Sequence, residues 1–435
     1  MDHPSRIPAS VARLRRIVID NSPEHFAEHR LQTLRASSRA EGDHSLRVAL
    51  FTGNYNMIRD GVALILNRLV SFLERQGVEV LVLSPTVDRP AFAPQGTLLS
   101  VPSIPVPLRP EYRISLALPD ACRKRLEAFR PTLFHLSTPD VLGYAARRLG
   151  KRWNLPIVAT FHTRFDTYLR YYRLGWLEPL VTRYLRHFYA DCDQVYVPSE
   201  SMAQVLRQQG IGGDLRIWSR GVDCKLFDPA KRDMAWRRAL GIEDEDIAIS
   251  FVGRLVREKG LDAFVTAVRE LRRRGVRHSV LLVGDGPERH WLSARLNGAI
   301  FTGFLEADAL ARAYASADVF FFPSVTETFG NVTLEAMAAG LPTVCADATG
   351  SRSLVLHGAT GFLVPPGRGD GYADVLARLA TEPVLRHQFG KAARERAQMF
   401  DWNAVMYSLL DYYVQALERH ASCRHDGRLP FSSAA

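Results

Sequence analysis

No stretch of this sequence stays apolar for the eighteen or so residues that a bilayer-spanning helix needs, so no membrane span is predicted. Cysteine is sparse. The five residues, at 122, 192, 224, 345 and 423, are odd in number and show no CxxC spacing. That pattern fits a reducing cytoplasm and argues against a zinc site. The N-terminal residues, from Met1 through Ala12-Arg-Leu-Arg-Arg-Ile-Val-Ile, have no sustained apolar core, and no secretory signal is expected. A Gly-x-Gly-x-x-Gly motif is missing from the first strand–helix loop, where the glycines stand apart at 53 and 61; a dinucleotide-binding dehydrogenase is disfavoured. No acidic pair in a strand–loop context offers a Mg²⁺ site: Glu243-Asp-Glu-Asp246 precedes a strand and reads as a solvated turn.

What is present is the composition of an ordinary soluble protein long enough for two domains: 435 residues, 47% hydrophobic and 23% charged. The net charge of +10 is unevenly placed, because residues 1–230 hold 31 Lys and Arg against 22 Asp and Glu, whereas residues 231–435 hold 25 against 24. A basic half suits nucleic acid, an anionic membrane, an acidic substrate, or simply a solvated face. No recognised nucleic-acid module accompanies it, so no nucleic-acid partner is expected.

Strand-like apolar runs alternate with helical periodicity along the chain. Leu46–Thr52, a helix from Val62 and a strand at Val78–Leu83 make a βαβ unit, and with it a parallel, doubly wound sheet. Further strands read at the end of Leu126–His135 and at Leu155–Phe161 and Gln194–Pro198, the last followed by Ser199, which has helix-cap chemistry. A polar, Pro-containing link near Asp228–Asp233 precedes a second α/β series with strands at Ile247–Val252, Ser279–Val283, Ile300–Thr302, Val319–Pro323, Thr343–Ala346 and Gly361–Val364. The expected organisation is a basic, flexible segment over 1–44, an N-terminal Rossmann-like domain over 45–228 and a C-terminal one over 229–400. A closing helix over 401–419 crosses back to the first domain, and a loose tail covers 420–435. Between His162 and Asp191, Arg interleaves with Tyr, Trp and Leu at helical spacing; this is either an interfacial helix on anionic lipid or a helix packed on its own sheet.

Function is most legible between Val319 and Pro342. An apolar strand breaks at Pro323-Ser324 into a loop carrying Glu327. After Gly330-Asn331 a helix over Val332–Ala339 begins, and Gly340 and Pro342 stop it. A helix N-terminus behind a glycine turn gathers free N–H groups and the positive end of the helix dipole, which suits an anion. Glu327 and Glu335 flank it with acceptors for hydroxyl groups. A nucleotide sugar is both anion and polyol. At strand C-termini, where open α/β sheets bind ligands, Gly253-Arg254, Lys259, Gly284-Asp-Gly-Pro287 and Gly303-Phe304 join this set. Arg254 supplies a fork for phosphate oxygens and Lys259 a point charge. From the first domain Gly61, His162 and Asp166 face the cleft, His162 being alternatively a satisfied core histidine.

The motifs Gly253-Arg-Leu-Val-Arg-Glu-Lys-Gly260, Val283-Gly-Asp-Gly-Pro287, Glu327-Thr-Phe-Gly-Asn-Val-Thr-Leu-Glu335 and Arg220-Gly-Val-Asp223 resemble the retaining glycosyltransferases of the GT-B fold, family 4, over about residues 46–417. Phe161-His-Thr-x-Phe-x-x-Tyr-x-x-Tyr171 is similar to the pattern of GDP-mannose-dependent α-mannosyltransferases and sulfoquinovosyl (sulfolipid) synthases. The resemblance implies that Arg254 and Lys259 hold the donor diphosphate, with Gly61 beneath it. Glu327 and the backbone of Phe329-Gly330-Asn331 hold sugar hydroxyls, Glu335 the ribose hydroxyls, and His162 sits beside the donor sugar. Gly284 and Phe304 belong to the loops around the base. The catalytic set is His162, Arg254, Lys259 and Glu327. Many relatives carry Gly-Gly where this chain has Asp60-Gly61, so Asp60 either contacts the acceptor or opposes phosphate. The expected activity is metal-independent transfer of a hexose from GDP-mannose or a UDP-sugar, without a further cofactor. The acceptor is expected to be lipid-linked or a glycan, and the place the inner face of the cytoplasmic membrane, in peripheral contact with anionic lipid. Competing readings are a nucleotide-sugar epimerase, a phosphorylase with a pyridoxal-binding lysine, and a non-enzymatic nucleotide-sugar-binding scaffold.

Overall fold

The structure, a computed structural model, describes residues 46–106, 109–162, 164, 175–367 and 369–425. Expectations for residues 1–44, Asp166, most of the Arg/aromatic run before Gly175 and the end of the tail lie outside the described residues.

Two parallel sheets carry the chain. The first is seven-stranded, in the order β3-β2-β1-β6-β7-β8-β9. Its strands are β1 (Arg47–Phe51), β2 (Glu79–Ser84), β3 (Thr97–Ser100), β6 (Leu133–Leu136), β7 (Ile157–Thr160), β8 (Gln194–Val197) and β9 (Leu215–Ile217). The second is six-stranded, in the order β12-β11-β10-β13-β14-β15. It comprises β10 (Ile247–Val252), β11 (His278–Val283), β12 (Ile300–Gly303), β13 (Val319–Phe322), β14 (Thr343–Ala346) and β15 (Gly361–Val364). Helices cover both faces of such sheets, so the strands read as continuous apolar runs rather than alternating ones. β13, Val-Phe-Phe-Phe, is buried at every position. An antiparallel pair, β4 (Ser103–Val106) with β5 (Arg109–Ser115), stands apart from both sheets. It was not anticipated: β4 is short, proline-containing and largely exposed, which hides a strand pattern.

The functional helices are α1 (Gly61–Arg75), α2 (Glu178–Ala190), α3 (Glu200–Gln208), α4 (Leu261–Arg273), α5 (Ala307–Ala315), α6 (Asn331–Ala338), α7 (Thr349–Arg352) and α8 (Trp402–His425). Helix α8 packs Leu409, Leu410 and Tyr413 into the core cluster that holds Leu50, Val158 and Trp218 of the first unit. The Tyr413 hydroxyl meets His135 Nδ1 at 2.7 Å. The helix outruns the boundary expected at residue 419, reaching His425. The reason is anchorage: Arg419 pairs with Asp214 at 2.8 Å, and buried His420 meets the Asn154 carbonyl at 3.0 Å.

Both sheets reverse their strand order once, between β1 and β6 and between β10 and β13. At such a switch point neighbouring connections leave in opposite directions and open a crevice at the strand C-termini. The loops after β1 and β13, one from each unit, meet: a Cβ built on Gly61 would lie 3.3 Å from Asn331 Nδ2.

Candidate active site

In the second unit the loop after β13 turns at Gly330, whose φ of 96° is left-handed and suits a residue without a Cβ. Gly330 is the N-cap of α6, and no side chain caps the helix. The Thr333 and Leu334 amides return to the Gly330 carbonyl, so the Asn331 and Val332 amides are the ones left without intrahelical or side-chain acceptors among the described residues. Asn331 is exposed beside them, whereas Phe329 is buried with its ring 6.0 Å from Phe400. Phe329 thus has only its backbone to offer a ligand. The loop after β10 brings Arg254, exposed, whose side chain makes no hydrogen bond or ion pair among the described residues. A 3₁₀ turn, Arg257–Lys259, follows. Lys259 Nζ is bonded to Glu327 Oε1, with both side chains about four-fifths buried; Ser324 Oγ donates to the same oxygen at 3.2 Å. A cation and a carboxylate expected to serve different parts of one ligand are thus held together.

Glu335 lies one turn into α6. Burial pushes its carboxyl up to about 7, against the opposing effect of the Tyr314 hydroxyl, which donates to Oε2 at 2.9 Å. Tyr314, on α5, was not read from the sequence. Its position inside Ala311–Ala315, a small-residue helical run, carried no chemical signal. Gly284 uses its amide on the Gly303 carbonyl at 2.8 Å, so it ties the β11 and β12 loops together. Phe304, next along, is 68% exposed and offers an open ring face. Two residues on, Glu306 pairs with Arg59 of the first unit at 2.7 Å.

The first unit contributes Gly61 at the start of α1. Asp60 is the N-cap of that helix: Oδ1 accepts from the Ala63 amide at 2.8 Å and Oδ2 from Asn54 Nδ2 at 2.9 Å. Neither an acceptor contact nor opposition to phosphate is needed to account for it. Burial raises its pKa above the ordinary aspartate value. His162, just beyond β7, is half-buried. Its Nδ1 lies 3.0 Å from Arg220 Nη2, and its carbonyl accepts from Thr328 Oγ1 of the second unit at 3.0 Å. The Thr328 carbonyl in turn accepts from Ser199 Oγ at 3.3 Å, and Ser201 Oγ donates to the Thr349 carbonyl at the start of α7. A seam of hydroxyl groups thus joins the two units beside the site. Arg220 and Thr328 lie inside recognised motifs; only the fold revealed that both grip His162.

Among the described residues, then, Gly61, Lys259, Glu327, Gly330 and Asn331 come from loops at the two switch points, and His162, from the loop after β7, joins them through Thr328. Arg254, Gly284 and Phe304 follow β10, β11 and β12, and Glu335 lies one turn behind. Residues 233–396 match the family described as glycosyl transferases group 1, and residues 59–226 match the one described as glycosyltransferase family 4. The chain belongs to glycosyltransferase family 4.

This glycosyltransferase is 33% identical over 388 residues to a GDP-mannose-dependent alpha-mannosyltransferase of Mycolicibacterium smegmatis, covering 86% of this chain and 99% of that one. It is also 33% identical over 344 residues to the sulfoquinovosyl transferase SQD2 of Arabidopsis thaliana, covering 77% of this chain and 67% of that one. Among solved structures it resembles the sucrose-phosphate synthase of Thermosynechococcus elongatus, with a TM-score of 0.72 and 22% identity over 86% of this chain and all of that one. It also resembles Anabaena HepE, solved with UDP and glucose, with a TM-score of 0.63 and 20% identity over 87% of this chain and all of that one. The fold of the glycosyltransferase is GT-B.

Proposed function

We propose that the enzyme transfers mannose from GDP-mannose to a lipid-linked or glycolipid acceptor, with retention of configuration and without a metal ion. The observation that carries the donor site is the uncapped N-terminus of α6 beside the Lys259–Glu327 pair and the unpartnered Arg254. In this reading Arg254, Lys259 and the free amides of α6 bind the diphosphate, and Gly61 lets the first unit's backbone close against it. Glu327 and the Phe329–Asn331 backbone take sugar hydroxyls, Glu335 takes the ribose, and Phe304 with the Gly284 loop borders the base. His162 stands beside the transferred sugar. As the bond from the anomeric carbon to phosphate oxygen breaks, charge develops on the leaving diphosphate. Donors already in place stabilise it without reorganising. The acceptor hydroxyl attacks from the same face and passes its proton to the leaving phosphate oxygen.

GDP-mannose is favoured because mannosyltransferases named for that donor match nearly the whole chain. The second reading, a UDP-sugar such as UDP-glucose or UDP-sulfoquinovose, is favoured by the sulfoquinovosyl transferase relative. A lipid-linked acceptor is supported by the surface of the first unit. Helix α2 buries Leu185, Phe188 and Tyr189 but leaves Leu180 64% exposed, next to Trp176 at 74%. Ile104 and Ile114 face each other across the β4–β5 pair, both exposed, with exposed Leu116 beside them. Apolar side chains amid arginines suit contact with an anionic bilayer.

The test is a panel of nucleotide sugars with EDTA present, read by thermal protection and by slow donor hydrolysis. GDP-mannose alone protecting and being cleaved supports the first reading, and a UDP-sugar doing so supports the second. Protection by none overturns both. Sedimentation with anionic vesicles and release by salt checks the membrane contact; equal binding to neutral vesicles counts against it.

A further inference from the structure

His162 is held by a partner that can only give protons. Arg220 is a guanidinium, with five N–H donors and no acceptor, and its Nη2 lies 3.0 Å from His162 Nδ1. Nδ1 must therefore be the unprotonated nitrogen of a neutral ring, and the ring's proton sits on Nε2. Nε2 is buried and has no hydrogen-bond partner among the described residues.

Arg220 is itself fixed. It is buried, with Nη1 donating to the carbonyls of Trp218 at 3.0 Å and Ser219 at 3.2 Å. Its guanidinium carbon stands 5.0 Å over the Trp218 ring. Among the described residues it has no carboxylate within ion-pair distance. A cation buried without a counter-ion is costly, and among the described residues the side chain toward which it donates is His162. On the far side of the same residue, Thr328 of the second unit holds the His162 carbonyl. Ring and backbone are thus gripped from different parts of the chain.

We infer that Arg220 is a positioning residue that locks His162 as a neutral imidazole with its proton on Nε2, aimed as a hydrogen-bond donor at an oxygen of the bound sugar or its phosphate. A buried N–H without an acceptor is a penalty that a substrate oxygen relieves, so the donor is primed in the unliganded enzyme. His162 then acts by donating a hydrogen bond, and it takes no part as a general base. The charged and titratable groups acting on the ring are Arg220 and His135; with burial they hold its pKa well below the ordinary histidine value. Glu327 and Lys259, on the second unit's loops after β13 and β10, are paired with each other. The choice of a sugar oxygen rests on the reading proposed above, whereas the tautomer does not.

The experiment uses the full chain with ¹⁵N-labelled histidine imidazoles, the His162 signals being assigned by their loss in His162→Gln. We expect the Nε2–H tautomer, unchanged between about pH 5.5 and 8, the window in which an ordinary histidine titrates. A proton on Nδ1, or titration within that window, overturns the proposal. In Arg220→Met the second tautomer should become populated and the protonation midpoint should rise. Its kcat/KM for the donor should fall roughly three- to tenfold, the worth of one misplaced hydrogen bond. Arg220→Lys, whose ammonium can also donate to Nδ1, should restore the tautomer and the flat pH profile. An Arg220→Met enzyme with the original tautomer and pH profile would reduce Arg220 to a packing role and refute the inference. If Arg220→Met does not fold, the measurement on the unaltered chain still decides. If no nucleotide sugar is cleaved, the proposed function fails while the tautomer result stands.

Discussion

The two units place helices at equivalent switch points and finish them in opposite ways. In the first, α1 is capped by the Asp60 carboxylate, and the helix Val141–Trp153 after β6 is capped by Asp140, which accepts from the Gly143 amide at 2.8 Å. In the second, α6 is capped by Gly330 and α4 by Gly260, with no side-chain bond at either. A carboxylate at an N-cap satisfies the free amides and neutralises the positive end of the dipole. These two termini of the first unit are therefore less suited to an anion than their counterparts in the second, although that half of the chain is the more basic. The nearly neutral half has open termini and the free Arg254. Net charge and anion binding are separate properties: the first acts over the surface, the second at particular uncommitted donors.

The sharpest way to break this comparison is to remove the free cation. Arg254→Ala should lower kcat/KM by roughly 10²–10³-fold, about 2–4 kcal/mol of transition-state stabilisation. Its melting temperature should hardly move, because the side chain has no partner to leave behind among the described residues. Near-normal turnover would show that the open termini are not the diphosphate site.

A smaller effect concerns Glu335, whose pKa burial raises to about 7. Below that pH the folded enzyme holds a proton on the carboxyl and loses a charged acceptor for hydroxyl groups. The KM for the donor should then rise several-fold as the pH falls from about 8 to 6. Tyr314→Phe removes a hydrogen bond to the charged form, so this limb should move to higher pH. For stability the sign is the reverse: the folded-state pKa lies above the unfolded one, so the contribution is present below about 4.5 and is lost as pH rises through about 7. A KM profile that stays level over that range would remove Glu335 from the donor site.

The smallest effect sharpens the other side of the comparison. Asp60→Ala deletes a cap and should cost about 1 kcal/mol, roughly 2–4 °C in melting temperature, while thermal protection by the donor changes less than about twofold. A large loss of donor protection would give Asp60 the ligand role that the structure does not require.

Much of this was legible in the sequence because it is local. Parallel strands buried on both faces must be apolar throughout, so β1, β10 and β13 announce themselves. A glycine turn before a helix signals an anion site within a dozen residues, and the Arg254–Lys259 spacing needs no tertiary information. Short exposed strands such as β4 carry no such pattern. Nor does composition reveal that Asp60 is a cap, since one carboxylate before a helix serves equally well as cap, ligand or solvated charge.

By itself the sequence determined two doubly wound units, the family, and the residue types that gather at strand ends. Only the tertiary structure decided how those residues are paired: Lys259 with Glu327, Glu335 with Tyr314, His162 between Arg220 and Thr328, Gly61 against Asn331. The physical reason is range. Strand burial and helix capping act over a few neighbouring residues and leave a mark in local order. Contacts between groups 21 to 270 residues apart, such as the Tyr314–Glu335 hydrogen bond and Gly61's approach to Asn331, exist only once two sheets have folded and closed on each other.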